Sequence, residues 1–490
     1  MSLSAHINIC MFQCILFTGI DISDHSLYRS AGAYRIRTEL EDNGYDCLVV
    51  DFFQHYTNTE IEELLDKTVS KDTLWIGFST TFMNTKVELE QNSDFWKKIK
   101  TKYPWLKIIV GGSKSLLEEM DFVDFYVTGY ADNAIVEITK NISIYDKKVT
   151  DANKEYNKKD LSNIPIKWKK SDLILPGTSL PMEIARGCIF NCAFCNFPMN
   201  NKKKFDYIRD AKSIYDELKY NYEVLGVRDY SFMDDTFNDS IQKLEILHNV
   251  ISKLDFKIRY STYIKPELLV AQPEQIPLLI ETGLTSAAYG LESLNPETRQ
   301  AIFKMKDPYR VLEAMQKLKN DSNGEISNQC TMIVGLPYES VESVRSSFDV
   351  LYNADYIDHF SYYPLTIHTP DKYAYTSPID NNPAAFGYFV QPKENITYSS
   401  TGKSNGAPMK WYNKHMNDTK AARIASEFNS KSKDRHKIYV WYRESLLNLG
   451  FDIDAHYQNH QGYLNQLPYS QLKESKIDFI RRYKKQLLVR

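Results

Sequence analysis

Three cysteines share one short stretch, ARGCIFNCAFCNF from Ala185 to Phe197. They are Cys188, Cys192 and Cys195, with three residues between the first two and two between the last two. Thiolates at such spacing on a loop are metal ligands more readily than packing residues. Three of them complete a tetrahedral zinc site only if a distant residue joins, and none of the ten histidines lies between Gly187 and Lys204. A 4Fe-4S cluster held by three cysteines leaves one iron unligated, and an open iron is a site for chemistry. The chain has only seven cysteines in 490 residues, an odd number without paired spacings. That usage points to reduced thiols rather than a secreted disulfide scaffold.

Other stretches carry chemistry by residue type. Met233-Asp234-Asp235-Thr236-Phe237 offers carboxylates that suit an ammonium partner. Gly290-Leu291-Glu292-Ser293 and Ile333-x-Gly335-Leu336-Pro337, followed by Glu339, place polar groups just past apolar runs. Taken singly, paired aspartates also read as a turn or helix cap, Gly-Leu-Pro as a strand exit, and Glu339 as a cap for the next helix. Cys10 and Cys14, four apart on a strand, read as core residues. Cys330 reads as an inert buried thiol or as a group facing substrate, and His359, Tyr362, Tyr363 and His368 as packing or pocket lining.

The elements that must position these residues alternate. From Ile7 to about Asn141, apolar runs such as INICMFQCILF, DCLVVDFF, TLWIGFST, LKIIVGG and DFYVTGY are separated by helical stretches such as SAGAYRIRTELEDNGY. Five βα units predict a doubly wound sheet, which binds ligands at the carboxyl ends of its strands. Those ends include the loop Thr18 to Ser30, the segment Ser79-Thr80-Thr81, the pair Gly111-Gly112, and Thr128-Gly129-Tyr130. Residues 142–180 read as a polar linker. A second series, PMEIA, DYSFMDD, KIRYSTYI, SAAYGLES, QCTMIVGLP and HFSYYPLTI, predicts six parallel strands with outer helices over residues 181–370. That is an incomplete βα barrel with its chemistry at the strand C-terminal ends, where the three cysteines fall. Residues 371–490 pass from an Asn, Pro, Gly and Ser-rich stretch into a helical tail expected to close over substrate.

Cys188-x-x-x-Cys192-x-Phe194-Cys195, led in by Arg186-Gly187, resembles the signature of the radical S-adenosylmethionine (radical SAM) superfamily. The resemblance implies a 4Fe-4S cluster on the three cysteines. S-adenosylmethionine would chelate the open iron, and its reductive cleavage would give a 5'-deoxyadenosyl radical. It also implies that Asp234 and Asp235 contact the methionine amino group, that Glu292 and Ser293 lie near the ribose or methionine, and that Ile333 and Gly335 flank adenine. The doubly wound domain ahead of the barrel resembles the cobalamin-binding class of the superfamily. There Ser79-x-Thr81 and Gly111-Gly112, with Gly129 and Tyr130, would make room for the nucleotide tail. The lower-ligand motif Asp-x-His-x-x-Gly is absent. Ser23-Asp24-His25-Ser26-Leu27-Tyr28 keeps only the histidine, so His25 is not expected on cobalt.

The fold expectation is therefore α/β throughout. A Rossmann-like domain of the cobalamin-binding type covers residues 1–141, a partial (β/α)6 TIM-like barrel covers 181–370, and a mostly helical region covers 371–490. The functional expectation is a radical SAM enzyme, with cobalamin-dependent methyl transfer to an unactivated centre, an electron donor such as flavodoxin or ferredoxin, and a small-molecule or peptide substrate. Radical chemistry without cobalamin (cyclisation, rearrangement or methylthiolation), a non-catalytic cobalamin or metal sensor, and a zinc module are the alternatives. A formal charge of -3 gives no basic footprint for a nucleic-acid partner. The start lacks a basic region and cleavage site and no apolar run is long enough for a bilayer, so the cytoplasm is the expected location and no membrane partner is expected.

Overall fold

The computed structural model describes residues 12–19, 23–83, 85–112, 119–156, 165–195, 208–370, 376–392 and 407–489. Cys10 lies outside the described residues.

The first sheet holds β1 (Cys14–Thr18), β2 (Cys47–Val50), β3 (Trp75–Ser79), β4 (Lys107–Gly111), β5 (Phe125–Thr128) and β6 (Val149–Asp151). Its order is β2-β1-β3-β4-β5-β6 and every pairing is parallel. All residues of β1, β2 and β5 are buried, as apolar runs covered on both faces must be. The chain direction across the sheet reverses between β1 and β3, and that is where such sheets open a ligand crevice. The stretch read as a linker contributes to this domain. It supplies β6, and Asp172 receives two hydrogen bonds from Arg37 of the helix Ala31–Asp42, at 2.6 and 2.8 Å.

The second sheet holds β7 (Ser179–Met182), β8 (Asp229–Phe232), β9 (Arg259–Ile264), β10 (Leu284–Glu292), β11 (Ser327–Val334) and β12 (His359–Pro364). Each strand pairs in parallel with the next, so six βα units make an open barrel. Local signals set the helices between them. The helix Ala211–Leu225, for example, begins where Asp210 accepts from the Ser213 N–H and stops at Gly226, whose φ of 70° a β-carbon would resist.

One register row of this sheet aligns Ser231, Ser261, Ser286 and Ser327 across four strands. Barrels of this kind fill the lumen with bulky branched side chains. Here the serines leave room, and the helix Val440–Asn448 occupies it. This helix touches β7, β8, β9 and β10, and all its residues except Trp441 and Tyr442 are buried. Ser327 donates to the Ile438 carbonyl at 2.9 Å, and the Ser179 N–H donates to Asn448 at 2.9 Å. The C-terminal region is thus not simply a lid, because its middle helix is part of the barrel interior. Its last helix, Tyr469–Val489, packs Phe479, Ile480, Tyr483 and Leu487 into the core of the first domain beside Phe52, Ile61 and Leu64. A small antiparallel sheet, β13 (Ile367–His368), β15 (Pro408–Tyr412) and β14 (Phe389–Pro392), lies over the end of β11. Among the described residues, no helix is long and apolar enough to cross a membrane.

Candidate active site

The cysteine loop follows β7 and is tied at several points to the carboxyl rim of the barrel. Cys188 Sγ lies 3.2 Å from Thr236 Oγ1, beyond β8, and 3.5 Å from the Phe190 N–H that donates to it. Lys265 Nζ, just past β9, stands 4.0 Å from Cys192 Sγ and 4.5 Å over the Phe190 ring. The Ala193 N–H donates to the Ile302 carbonyl, and the Ala193 carbonyl accepts from Ile379. All three thiols are partly exposed, whereas Cys14, Cys47 and Cys330 are buried. Burial pushes the Cys188 thiol up, against the hydrogen bonds from Thr236 and the Phe190 N–H. As they stand, no three His, Cys, Asp or Glu among the described residues are gathered closely enough to hold a metal ion. The donor set nonetheless suits iron. It consists of three soft thiols, with two lysines near enough to offset the charge of thiolates.

Those lysines belong to a buried charge cluster that sequence reasoning missed. Glu267 Oε1 accepts from Arg299 at 2.6 Å and lies 3.8 Å from Lys304, while its Oε2 is 3.6 Å from Lys265. Burial works against the Glu267 carboxylate, yet Lys304, Lys265 and Arg299 hold it down to about 2. Glu292, expected near S-adenosylmethionine, joins this cluster 3.7 Å from Lys304. Its φ is 68°, at a shift of register between β10 and β11, a conformation that side chains rarely adopt and that concentrates at functional sites. Lys265 directly follows the β9 run in the sequence, which was the available signal. Nothing in the sequence pairs it with Lys304.

Several expected contacts are committed elsewhere. Asp234 is buried, accepts from the Ile184 N–H at 2.9 Å and sits 3.1 Å from the fully buried Lys243, so it braces the exit of β7 and its ammonium partner is a side chain of the protein itself. Asp235, its neighbour, lies within electrostatic reach of Cys188, of Tyr130 and of Tyr263. Ser293 donates to Glu339 at 2.7 Å, and Glu339 also accepts from the Gly335 N–H at 3.4 Å. Glu339 is therefore no helix cap, since Ser340 caps the helix Val341–Asn353. Burial pushes the Glu339 carboxyl up to about 8. Gly335 is covered by the chain itself. At φ 103°, a β-carbon there would overlap Trp411, and the Gly335 carbonyl accepts from Tyr388 at 2.6 Å. Ile333 is half-buried and packs against the core, beside Tyr363 of β12 in register. Phe194 packs half-buried against the same core. Cys330 is buried in that core and burial raises its thiol, which makes it an inert group. Tyr362 meets Phe348 at a tilt and Phe428 edge-on, and His359 stacks on Tyr439 at 3.8 Å.

The carboxyl rim of the first sheet faces the same loop. Arg186, two residues before Cys188, donates to Asp132 at 2.7 and 3.1 Å and to Glu183 at 2.8 Å, and its guanidinium lies 4.8 Å from the centroid of the Tyr130 ring. Asp132 begins the helix after β5 and also accepts from Arg35 at 3.0 Å. Burial opposes its charge, but Arg186 and then Arg35 hold the Asp132 carboxyl well below the usual range. Tyr130 thus serves the contact between domains, and Gly129 serves packing within the first. The Tyr130 N–H donates to Asn153 at 3.0 Å, and the Asn153 side chain fills the space a β-carbon of Gly129 would need. Gly112 makes a tight backbone cradle with the turn after β3. Its φ is 110°, and a β-carbon would come 3.1 Å from the Thr80 and Thr81 N–H groups, while Thr80 donates to the Gly111 carbonyl at 2.9 Å. Ser79 and Thr81 flank this cradle, half-buried. His25 is engaged by the C-terminal region, 2.5 Å from the Tyr442 hydroxyl and edge-on to Tyr469.

Residues 182–351 match the family model of the radical SAM superfamily. These residues are a radical SAM domain. A curated relative, the bacteriochlorophyllide d C-8(2)-methyltransferase of Chlorobaculum tepidum, is 25% identical over 51% of the chain, and the chain spans 57% of that relative's length. The radical SAM methyltransferase TsrM from Kitasatospora setae, solved with cobalamin and a [4Fe-4S] cluster, superposes with a TM-score of 0.61 at 15% identity, over 97% of this chain and 100% of that one. The cobalamin-dependent radical SAM enzyme OxsB, solved with aqua-cobalamin, gives 0.59 at 10% identity over 98% of this chain and 80% of its own. At these identities the two structures show that the radical SAM domain sits in a shared α/β fold.

Proposed function

We propose that this chain is a radical S-adenosylmethionine enzyme that holds a 4Fe-4S cluster on Cys188, Cys192 and Cys195, and that its first domain holds cobalamin for methyl transfer to an unactivated carbon or phosphorus centre. The observation that carries the reading is the Arg186 bridge, which fixes the thiol loop of the barrel against the carboxyl rim of the doubly wound sheet. Two ligand-binding rims that normally belong to separate folds here face one another.

The cluster, when bound, would supply the electron that splits the sulfonium bond, and the corrin would carry the methyl group. The residues of the chain do the rest. Thr236 and the Phe190 N–H steady the Cys188 sulfur, and Lys265 and Lys304 place positive charge beside Cys192. Asp235 offers a carboxylate to the ammonium of S-adenosylmethionine. Gly111 and Gly112, which close on the turn of Ser79, Thr80 and Thr81, would line the path of a nucleotide tail. With His25 engaged by Tyr442, no imidazole from that loop meets cobalt. A reduced flavodoxin or ferredoxin would deliver the electron.

Anaerobic purification from cells supplied with cobalamin, iron and sulfide tests the reading. Corrin bands over an iron-sulfur shoulder that bleaches on reduction are expected. A shoulder without corrin would overturn the methyl-transfer half and leave radical chemistry. Zinc without iron or labile sulfide would overturn both.

A further inference from the structure

The helix inserted in the barrel brings an acid and an aromatic ring to the lumen from a part of the chain that carries no motif. Trp441 and Glu444 are three apart, hence on one face of the helix Val440–Asn448. Both look toward Tyr263, near the carboxyl end of β9. The Trp441 and Tyr263 rings stand edge-on with centroids 6.1 Å apart, and Tyr263 lies within electrostatic reach of Glu444, of Asp235 and of Tyr363. The Tyr28 hydroxyl, from the first domain, donates to the Trp441 carbonyl at 2.5 Å. The wall therefore joins all three regions of the chain beside the thiol loop.

Two features mark it as a binding surface. Large apolar side chains stay open there, with Trp441 and Met233 each 37% exposed and Tyr363 54% exposed. Polar groups are buried in the lumen without partners. Among the described residues, Ser286 Oγ and Gln329 Oε1 make no hydrogen bond, and Glu444 is met by the Ser231 hydroxyl with no cation acting on it. A buried carboxyl without a counter-charge is costly and invites a donor. Lys265, Lys304 and Arg186 cannot serve, since each already faces carboxylates.

We propose that Tyr263, Trp441 and Glu444 form the substrate-recognition wall, and that it takes a small aromatic molecule bearing an alkylammonium group. The ring lies against Trp441 and Tyr263, and the ammonium donates to Glu444. This rests on the reading of the barrel as a radical SAM active site. Burial pushes the Glu444 carboxyl up to about 8, so near neutral pH the ammonium displaces a proton when it binds.

Calorimetric titration of the full chain with 2-phenylethylamine, 3-phenylpropionate and 2-cyclohexylethylamine tests it. The aromatic amine should bind about tenfold or more tightly than either competitor, with a heat that depends on buffer ionisation because a proton is released. Glu444→Gln should erase the preference over the carboxylate and the proton release. Trp441→Ala should erase the preference over the cyclohexyl amine, and Trp441→Phe should restore it. Equal binding of the three probes, or a Glu444→Gln chain that keeps the amine preference, would overturn the proposal. Iron and labile sulfide measured on the same samples separate the two readings. A chain with the amine preference but no iron sinks the radical reading alone, and iron without the preference sinks this one alone.

Discussion

The Arg186 bridge can be tested by a double-mutant cycle. Arg186 makes two hydrogen bonds to Asp132 and three to Glu183, at 2.7 to 3.1 Å, and its side chain is 6% exposed. Breaking a buried ion pair from one side costs about 3–5 kcal/mol, because the partner is left charged and dry. Asp132 would keep Arg35, which argues for the lower end. Arg186→Gln should therefore lose ~3 kcal/mol in urea unfolding of the full chain, roughly 150-fold in the folding equilibrium. Asp132→Asn should lose a comparable amount, leaving two arginines facing a neutral amide. In the double variant neither charge remains to be stranded against the other, so the losses should fall short of additive by about 2 kcal/mol. Additivity to within about 0.5 kcal/mol would show that the pair contributes nothing across the domains, and the coupling of the two rims would fall with it.

Cys192→Ala should purify folded but with iron and labile sulfide lost and no 5'-deoxyadenosine formed; retained product would remove the loop from the radical centre. Glu339 and Glu444 have folded values raised to about 8, above the unfolded carboxyl range, so the folded chain binds the extra protons. Their contribution to stability is full below an unfolded value of about 4.3 and declines as pH rises toward the folded value, by up to ~1.4 kcal/mol per pH unit for each group. Glu444→Gln should flatten that decline, measured by unfolding at a series of pH values, and an unchanged slope would show that Glu444 is solvated. Gly335→Ala should destabilise by about 2–3 kcal/mol, through strain at φ 103° and displacement of Trp411, and a loss below about 0.5 kcal/mol would mean that the β15 cover moves freely.

The elements of both sheets were legible because parallel strands buried on both faces must be apolar runs, and helices between them carry caps. DCLVV, TLWIGFS and LKIIVG became β2, β3 and β4. Thr57 and Glu60 form a capping box at the start of the helix Asn58–Thr68, just as their spacing allows. The strand Val149–Asp151 was missed because three residues at a sheet edge carry no period of their own. Glu339 was misjudged for a related reason, since its partner Ser293 is far away along the chain.

The sequence by itself determined the cysteine loop, the two alternating series and their order, because ligand spacing and burial period are local properties of the chain. The tertiary structure alone decided that Asp234 braces Lys243, that Trp411 covers Gly335, and that Arg186 joins the two domains through Asp132. It also decided that a helix with no motif fills a lumen lined by serines, with Glu444 against Ser231. Charge pairing and cavity filling depend on which surfaces meet in space, and no spacing along the chain encodes that.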